Sequence, residues 1–268
     1  MTLTVTTDPT AIEALLTRLL DADPVRATVI GSIVADLRAG HAPDAWCAGR
    51  PGTDAVVVRS HRAYPAVFTS GWDGADLAEA IELVGRLPGL TGVSGPVDVV
   101  DVVAGRLAGG RPTERMGMRL FRLDELVLPT GITGLARPAD DDERDLVFDW
   151  YRAFGAEAGG AVHDIEQAAK HALETGRIWL WLDGDRPVSL AARRAPEAGS
   201  ARVGPVYTPP EQRGHGYGSA VTAAATRDIL DLGAIPVLFT DLANPTSNKI
   251  YQLLGYYPVE DRVVVRFG

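Results

Sequence analysis

The sequence predicts an α/β protein in two halves. Segments with apolar residues at helical spacing alternate with short β-branched runs. The two halves follow a parallel order of such segments, as though one α/β unit had been used twice. In the second half a glycine-rich turn, residues 213–218, joins a strand directly to a helix.

In chain order, residues 9–20 and 24–38 are predicted helices, with Ile12, Leu15, Leu16 and Leu19, then Val25, Val29, Ile33 and Leu37, on their apolar faces. Strands follow at 55–60 and 64–69, a helix at 75–87, a short strand at 92–95, a helix at 97–108 and a strand at 114–123. The first half thus reads ααββαβαβ. A linker rich in Pro, Gly and Thr at 128–134 separates a domain of residues 1–126 from one of 127–268.

The second half opens with a strand at 132–137 and a helix at 140–153, whose first turn is loaded with acids. A polar loop, residues 154–163, leads to a helix at 164–174 that ends at Gly176. Strands at 177–182 and 187–194 flank the turn Asp183-Gly184-Asp185, and a third runs from 201 to 208. Gly204-Pro205 inside that third strand predicts a bulge or a splayed edge, because proline cannot donate to the ladder. After the glycine turn come a helix at 220–232, a strand at 235–240 and a helix entered through Asn244-Pro245 and left at Gly255.

Gly214, Gly216 and Gly218 leave the main chain of the turn open to a ligand and permit dihedrals closed to other residues. Amides of such a turn, continued by the free N–H groups of a helix start, form an anion cradle, and Arg213 and His215 supply further donors. A diphosphate is the natural guest. A nucleotide P-loop would need Lys and then Ser or Thr after its last glycine, yet the only lysines are Lys170 and Lys249. The dinucleotide fingerprint is G-x-G-x-x-G directly after a strand, whereas the spacing here is G-x-G-x-G after Thr208-Pro209-Pro210-Glu211.

Strand, Arg213-x-x-Gly216-x-Gly218, helix, strand, then Asn248 and Tyr251 on a further helix: in this order and spacing the sequence resembles the GCN5-related N-acetyltransferases over roughly residues 130–268. The resemblance implies a mixed, mostly antiparallel central sheet flanked by helices, acetyl-CoA or another acyl-CoA as co-substrate, and transfer of the acyl group to a primary amine of a small molecule or peptide. It places Val206, Tyr207 and Thr208 along the pantetheine arm, and Arg213, Gly214, His215, Gly216, Tyr217, Gly218 and Ser219 around the diphosphate, with Asn248 and Tyr251 also at the cofactor. Tyr251 is implied as the general acid for the departing thiolate. Side chains added at Gly216 or Gly218 are expected to fill the diphosphate's space while leaving the fold largely intact. The first half lacks this cradle and any Asn-x-x-Tyr partner, offering only Gly92-Val93-Ser94-Gly95-Pro96 where a cofactor loop would sit. It is either a degenerate copy of the same domain or an unrelated α/β cap.

The general base is left among Glu157 and His163 in the 154–163 loop, which the resemblance implies shapes the acceptor pocket, and Tyr207 and Asp241 near strand ends, with Glu157, as base or acceptor contact, the first choice. Two other readings stay open: a regulatory protein that binds acyl-CoA without turnover, and another CoA-dependent reaction on the same scaffold.

Net charge is −9 with pI near 5.0, which argues against nucleic acid as a partner. The absence of a long uncharged apolar run argues against a membrane span, and the first residues carry neither a basic start nor an apolar signal core, so a cytoplasmic monomer or homodimer is expected. The single cysteine, Cys47, is expected to be structural, and no metal-ligand spacing is present.

Overall fold

The computed structural model describes residues 2–107, 114–158 and 165–268. The chain forms two compact units. One comprises Met1–Leu120, Thr240–Asn244 and Val259–Gly268, the other Phe121–Phe239 and Pro245–Pro258.

In the N-terminal unit the elements are β1 (Thr4–Thr6), α1 (Pro9–Ala22), α2 (Thr28–Arg38), β2 (Trp46–Gly49), β3 (Val56–Arg59), β4 (Ala66–Phe68), α3 (Gly74–Gly85), β5 (Gly92–Pro96), α4 (Val97–Leu107) and β6 (Glu114–Leu123). Helix α1 starts where Asp8 accepts from the Thr10 amide and Pro9 occupies the first turn, where its missing N–H costs nothing. Strands β1 to β4 pair antiparallel in sequence order, and β4 pairs parallel with β5. The run Val56-Val57-Val58 is buried on both faces: Val56 and Val58 join the cluster under α1 and α2, while Val57 joins the one under α3 and α4. Cys47 lies fully buried in the first cluster, and burial pushes its thiol up to about 12, which suits a packing residue and not a nucleophile.

The C-terminal unit contains β7 (Leu135–Pro138), α5 (Arg144–Glu157), α6 (Ile165–Glu174), β8 (Ile178–Asp183), β9 (Arg186–Arg193), β10 (Ser200–Tyr207), α7 (Tyr217–Asp231), the larger part of β11 (Ile235–Asp241), α8 (Pro245–Leu253) and the start of β12 (Tyr256–Arg266). Strands β7 to β10 pair antiparallel in sequence order, and β10 pairs parallel with β11. One face of this sheet packs with Val221, Ala225 and Ile229 of α7, Ile250 of α8 and Leu254 just beyond it, and the other with α5 and α6 through Val147, Tyr151, Ala169 and Leu173. Each unit is therefore a mixed, mostly antiparallel sheet flanked by helices, the fold class the sequence predicts.

Both halves run βααβββαβαβ, with the same pairing senses. The sequence reading ααββαβαβ omits β1 and β2. The first has three residues and an exposed side, and the second is the short Trp46-Cys47-Ala48-Gly49 run, so neither displays an alternation of period two. Strand β12 was also not predicted, because Pro258, Glu260 and Asp261 interrupt its apolar pattern. Its C-terminal part belongs to the N-terminal unit, pairing antiparallel with β5 from Arg262↔Pro96 to Arg266↔Gly92. There Asp261 accepts two bonds from Arg119 (2.6 and 2.8 Å). The units thus do not divide the chain at one point near residue 126. Among the described residues, no helix is long and apolar enough to cross a membrane.

Candidate functional site

The bulge expected at Gly204-Pro205 is present. Three steps along β10, from Val203 to Val206, oppose two along β9, from Arg193 to Ala191. The parallel pairing of β10 with β11 ends at Val203↔Leu238, although β10 continues to Tyr207. Beyond Val203 the main chain of β10 is turned away from its parallel neighbour.

The last residues of β10 are fixed from below by a buried hydroxyl. Ser189 on β9 donates to the Tyr207 carbonyl (3.0 Å) and lies 2.8 Å from the Thr208 hydroxyl. Sequence reasoning missed Ser189, yet a lone polar residue inside the apolar run Val188–Ala192 was the available signal. The Tyr207 ring stands 6.2 Å from that of Trp150 on α5 and 6.0 Å from the Arg213 guanidinium. Burial, followed by the nearby Glu157 charge, raises the Tyr207 phenol.

Pro209 then leads through a single 3-10 turn, Pro210–Gln212, to Arg213. Gly214 and Gly216 both take left-handed φ values, +84° and +83°, which favour glycine. Helix α7 starts at Tyr217, earlier than predicted, with Gly216 as its N-cap and no side chain capping it. Its first main-chain bond among the described residues runs from the Ala220 amide to the Gly216 carbonyl (3.1 Å). The amides of Tyr217, Gly218 and Ser219 precede that bond and present the partial positive charge of a fifteen-residue helix.

The corresponding position in the N-terminal unit, by element order, lies between β4 and α3 and not at 92–96 as the sequence reading had it. There the Asp73 carboxylate caps α3, accepting from the Asp76 amide (2.8 Å), and Asp76 is itself in the first turn. That helix start is filled by the chain's own negative charge. The start of α7 is not.

Arg213 is held on two sides. Its Nε donates to the Thr208 carbonyl (2.9 Å), and its Nη2 donates to both Glu157 oxygens (2.8 and 2.7 Å). Glu157 is the last residue of α5, so its placement in a loop is corrected. His163 lies outside the described residues. Asp241 closes its own turn by accepting from the Ala243 amide (2.8 Å). The His215 ring stacks on Tyr217 at 5.4 Å. The Tyr217 hydroxyl donates to Asp183 on β8 (2.8 Å), and this bond leads the causes that raise its phenol. Tyr217 therefore offers the turn its amide and not its side chain.

A Cβ on Gly216 would lie 2.8 Å from Ile132 Cδ1, and one on Gly218 3.3 Å from Thr208 Oγ1. Branches there meet Ile132 and Thr208 first, whereas the sequence expectation was that they fill the diphosphate's space and leave the fold largely intact. Ile132 itself lies ahead of β7, not within it, and its side chain covers the turn.

Tyr251 and Asn248 lie on α8. The Tyr251 ring packs edge-on against Phe121 (6.4 Å) and Tyr256 (6.3 Å), and it borders the same apolar cluster as Val206. Burial pushes its hydroxyl up to about 12. Among the described residues, no group of three or more His, Cys, Asp or Glu side chains could hold a metal ion.

Residues 182–265 match the family model described as FR47-like protein. Over the whole chain the fold is shared with a Drosophila protein (TM-score 0.69, 11% identity, covering 99% of this chain and 98% of the other). It is also shared with a GCN5-related N-acetyltransferase from Sphaerobacter thermophilus (0.62, 14%, 98% and 95%). A tandem acetyltransferase of the same kind, from the clavulanic acid biosynthesis pathway, aligns over both halves (0.60, 13%, 98% and 97%). No curated protein matches the chain in sequence. At these identities the likeness establishes the fold, which is that of the GCN5-related N-acetyltransferases.

Proposed function

We propose that the chain is an acyl-CoA-dependent N-acyltransferase, most simply an acetyltransferase, whose donor site is the C-terminal unit's β10–α7 turn. One observation carries this reading: β10 leaves β11 after Val203 and runs into a left-handed glycine turn at an uncapped helix start. The diphosphate would sit on the amides of residues 214–219, where the helix dipole and Arg213 favour negative charge. The main chain of Val206–Thr208, turned away from β11, would hydrogen-bond the pantetheine and the thioester oxygen. The N-terminal unit, whose matching helix start is closed by Asp73, is a degenerate copy without a donor site.

Both reactants held together, the amine attacks the thioester carbon directly, and proximity supplies much of the rate. Tyr251 keeps its proton throughout the neutral range and gives it to the departing sulfur. Glu157, whose two oxygens are occupied by Arg213, positions that arginine and is not the base; the amine sheds its proton through water. Calorimetry with acetyl-CoA, followed by thiol release in the presence of amines, tests the proposal. Failure to bind acetyl-CoA overturns it, and binding without thiol release against any amine favours a regulatory acyl-CoA binder.

A further inference from the structure

A concavity in the C-terminal unit opens on the α5–α6 face of the sheet. Its empty space, continuous with solvent, amounts to about 320 Å³ and is walled by Tyr151, His171, Arg177, Arg193, Arg194 and Gly204-Pro205, with three alanines completing it. No carboxylate is among these lining residues. Arg193 is committed to Asp228, while Arg177 Nη1 lies 3.3 Å from His171 Nε2. Among the described residues, the charges of Arg177 and Arg194 are thus not matched by an acid in the recess itself, in a chain of net charge −9. Burial, and after it the proximity of Arg193 and Arg194, holds the Arg177 guanidinium below the usual arginine value.

The recess ends at the β10 bulge. At roughly 3.3 Å per residue, Pro205 is about 7 Å along the strand from Tyr207. An acceptor whose anion is held by Arg177 and Arg194 would need about five or six bonds between that anion and its amine to reach, across roughly this span, the main chain proposed to hold the thioester. Guanidinium forks match the two oxygens of a carboxylate.

We propose that this recess binds the carboxylate of the acceptor, so that the acceptor is an amine carrying a carboxylate several bonds from its nitrogen, an ω-amino acid being the simplest case. The inference rests on the acyltransfer reading above. In the step, the amine nitrogen bonds to the acyl carbon as the carbon–sulfur bond breaks. The nitrogen loses one proton and the thiolate gains one, so no further reactant is needed.

The test compares ω-amino acids of four to six carbons with their carboxamides and with the matching aminoalkylphosphonates, using the full chain and acetyl-CoA. The free acids are expected to show at least tenfold higher kcat/KM than the amides. R177Q/R194Q should raise KM for the acids at least tenfold while leaving the affinity for acetyl-CoA unchanged. R194Q alone, at an exposed position, carries the comparison if the double variant melts low. Equal use of acid and amide, an unchanged KM in the variants, or tenfold tighter use of the phosphonate would overturn the proposal. Calorimetry of the amino acids without acetyl-CoA separates the two readings. Binding abolished by R177Q/R194Q supports the recess even if acetyl-CoA fails to bind, and binding that the variants retain overturns it.

Discussion

The Arg213 guanidinium donates to both carboxylate oxygens of Glu157 while its Nε reaches back to the Thr208 carbonyl. One side chain, immediately ahead of Gly214 in the chain, thereby ties the end of α5 to the end of β10. Both partners are about half exposed (47% and 48%), so the pair contributes less than ~1 kcal/mol to stability. Its consequence lies in where Arg213 is held.

Glu157→Gln should therefore keep kcat within a few-fold of the parent and leave the pH profile of kcat unmoved, whereas Arg213→Ala should weaken acetyl-CoA binding at least tenfold. Steady-state kinetics across pH, with calorimetry alongside, check both. A hundredfold fall in kcat for Glu157→Gln with loss of the acidic limb would restore it as the base.

Gly216→Ala should cost roughly 1–2 kcal/mol, because alanine is strained in a left-handed conformation and its Cβ would press on Ile132 Cδ1. Adding Ile132→Ala should recover the steric part and not the backbone part. Gly214→Ala, with nothing within 4 Å of its Cβ, isolates the backbone contribution. Urea unfolding of the three variants separates the two terms.

Tyr251→Phe should lower kcat by about 10²-fold or more with little change in acetyl-CoA affinity. Because burial raises the hydroxyl from its ordinary value near 10 to about 12, Tyr251 should impose no alkaline limb on kcat below about pH 11. The same shift has a stability consequence. Tyr251 and Tyr256 both titrate higher when folded, so their contribution is fully present below pH 10 and is lost as pH rises through 10 to 12. Chemical denaturation at pH 8 and pH 11 should show that fall, and a smaller one in Tyr251→Phe.

Thr226→Val should destabilise the C-terminal unit by about 1–3 kcal/mol. The Thr226 hydroxyl lies 2.7 Å from that of Tyr256, both are buried, and valine leaves the phenol without that partner. Thr226→Ser, which retains the hydroxyl, should cost less; equal losses would assign the effect to packing.

The sequence by itself determined the helices, most strands, the β10 bulge and the glycine turn that leads into α7. Each rests on residues close together in the chain: the spacing of Ile12, Leu16 and Leu19, the missing donor of Pro205, the alternate glycines 214, 216 and 218. Only the tertiary structure decided that Ser189 fixes the end of β10, that Ile132 covers the glycine turn and that Glu157 is bound to Arg213. It also decided that β1 and β2 complete the repeat and that the end of β12 pairs with β5. The reason is that strand pairing and side-chain partnership join residues tens to hundreds of positions apart. Short strands and charged ones such as β12 become legible only through the partners that satisfy them.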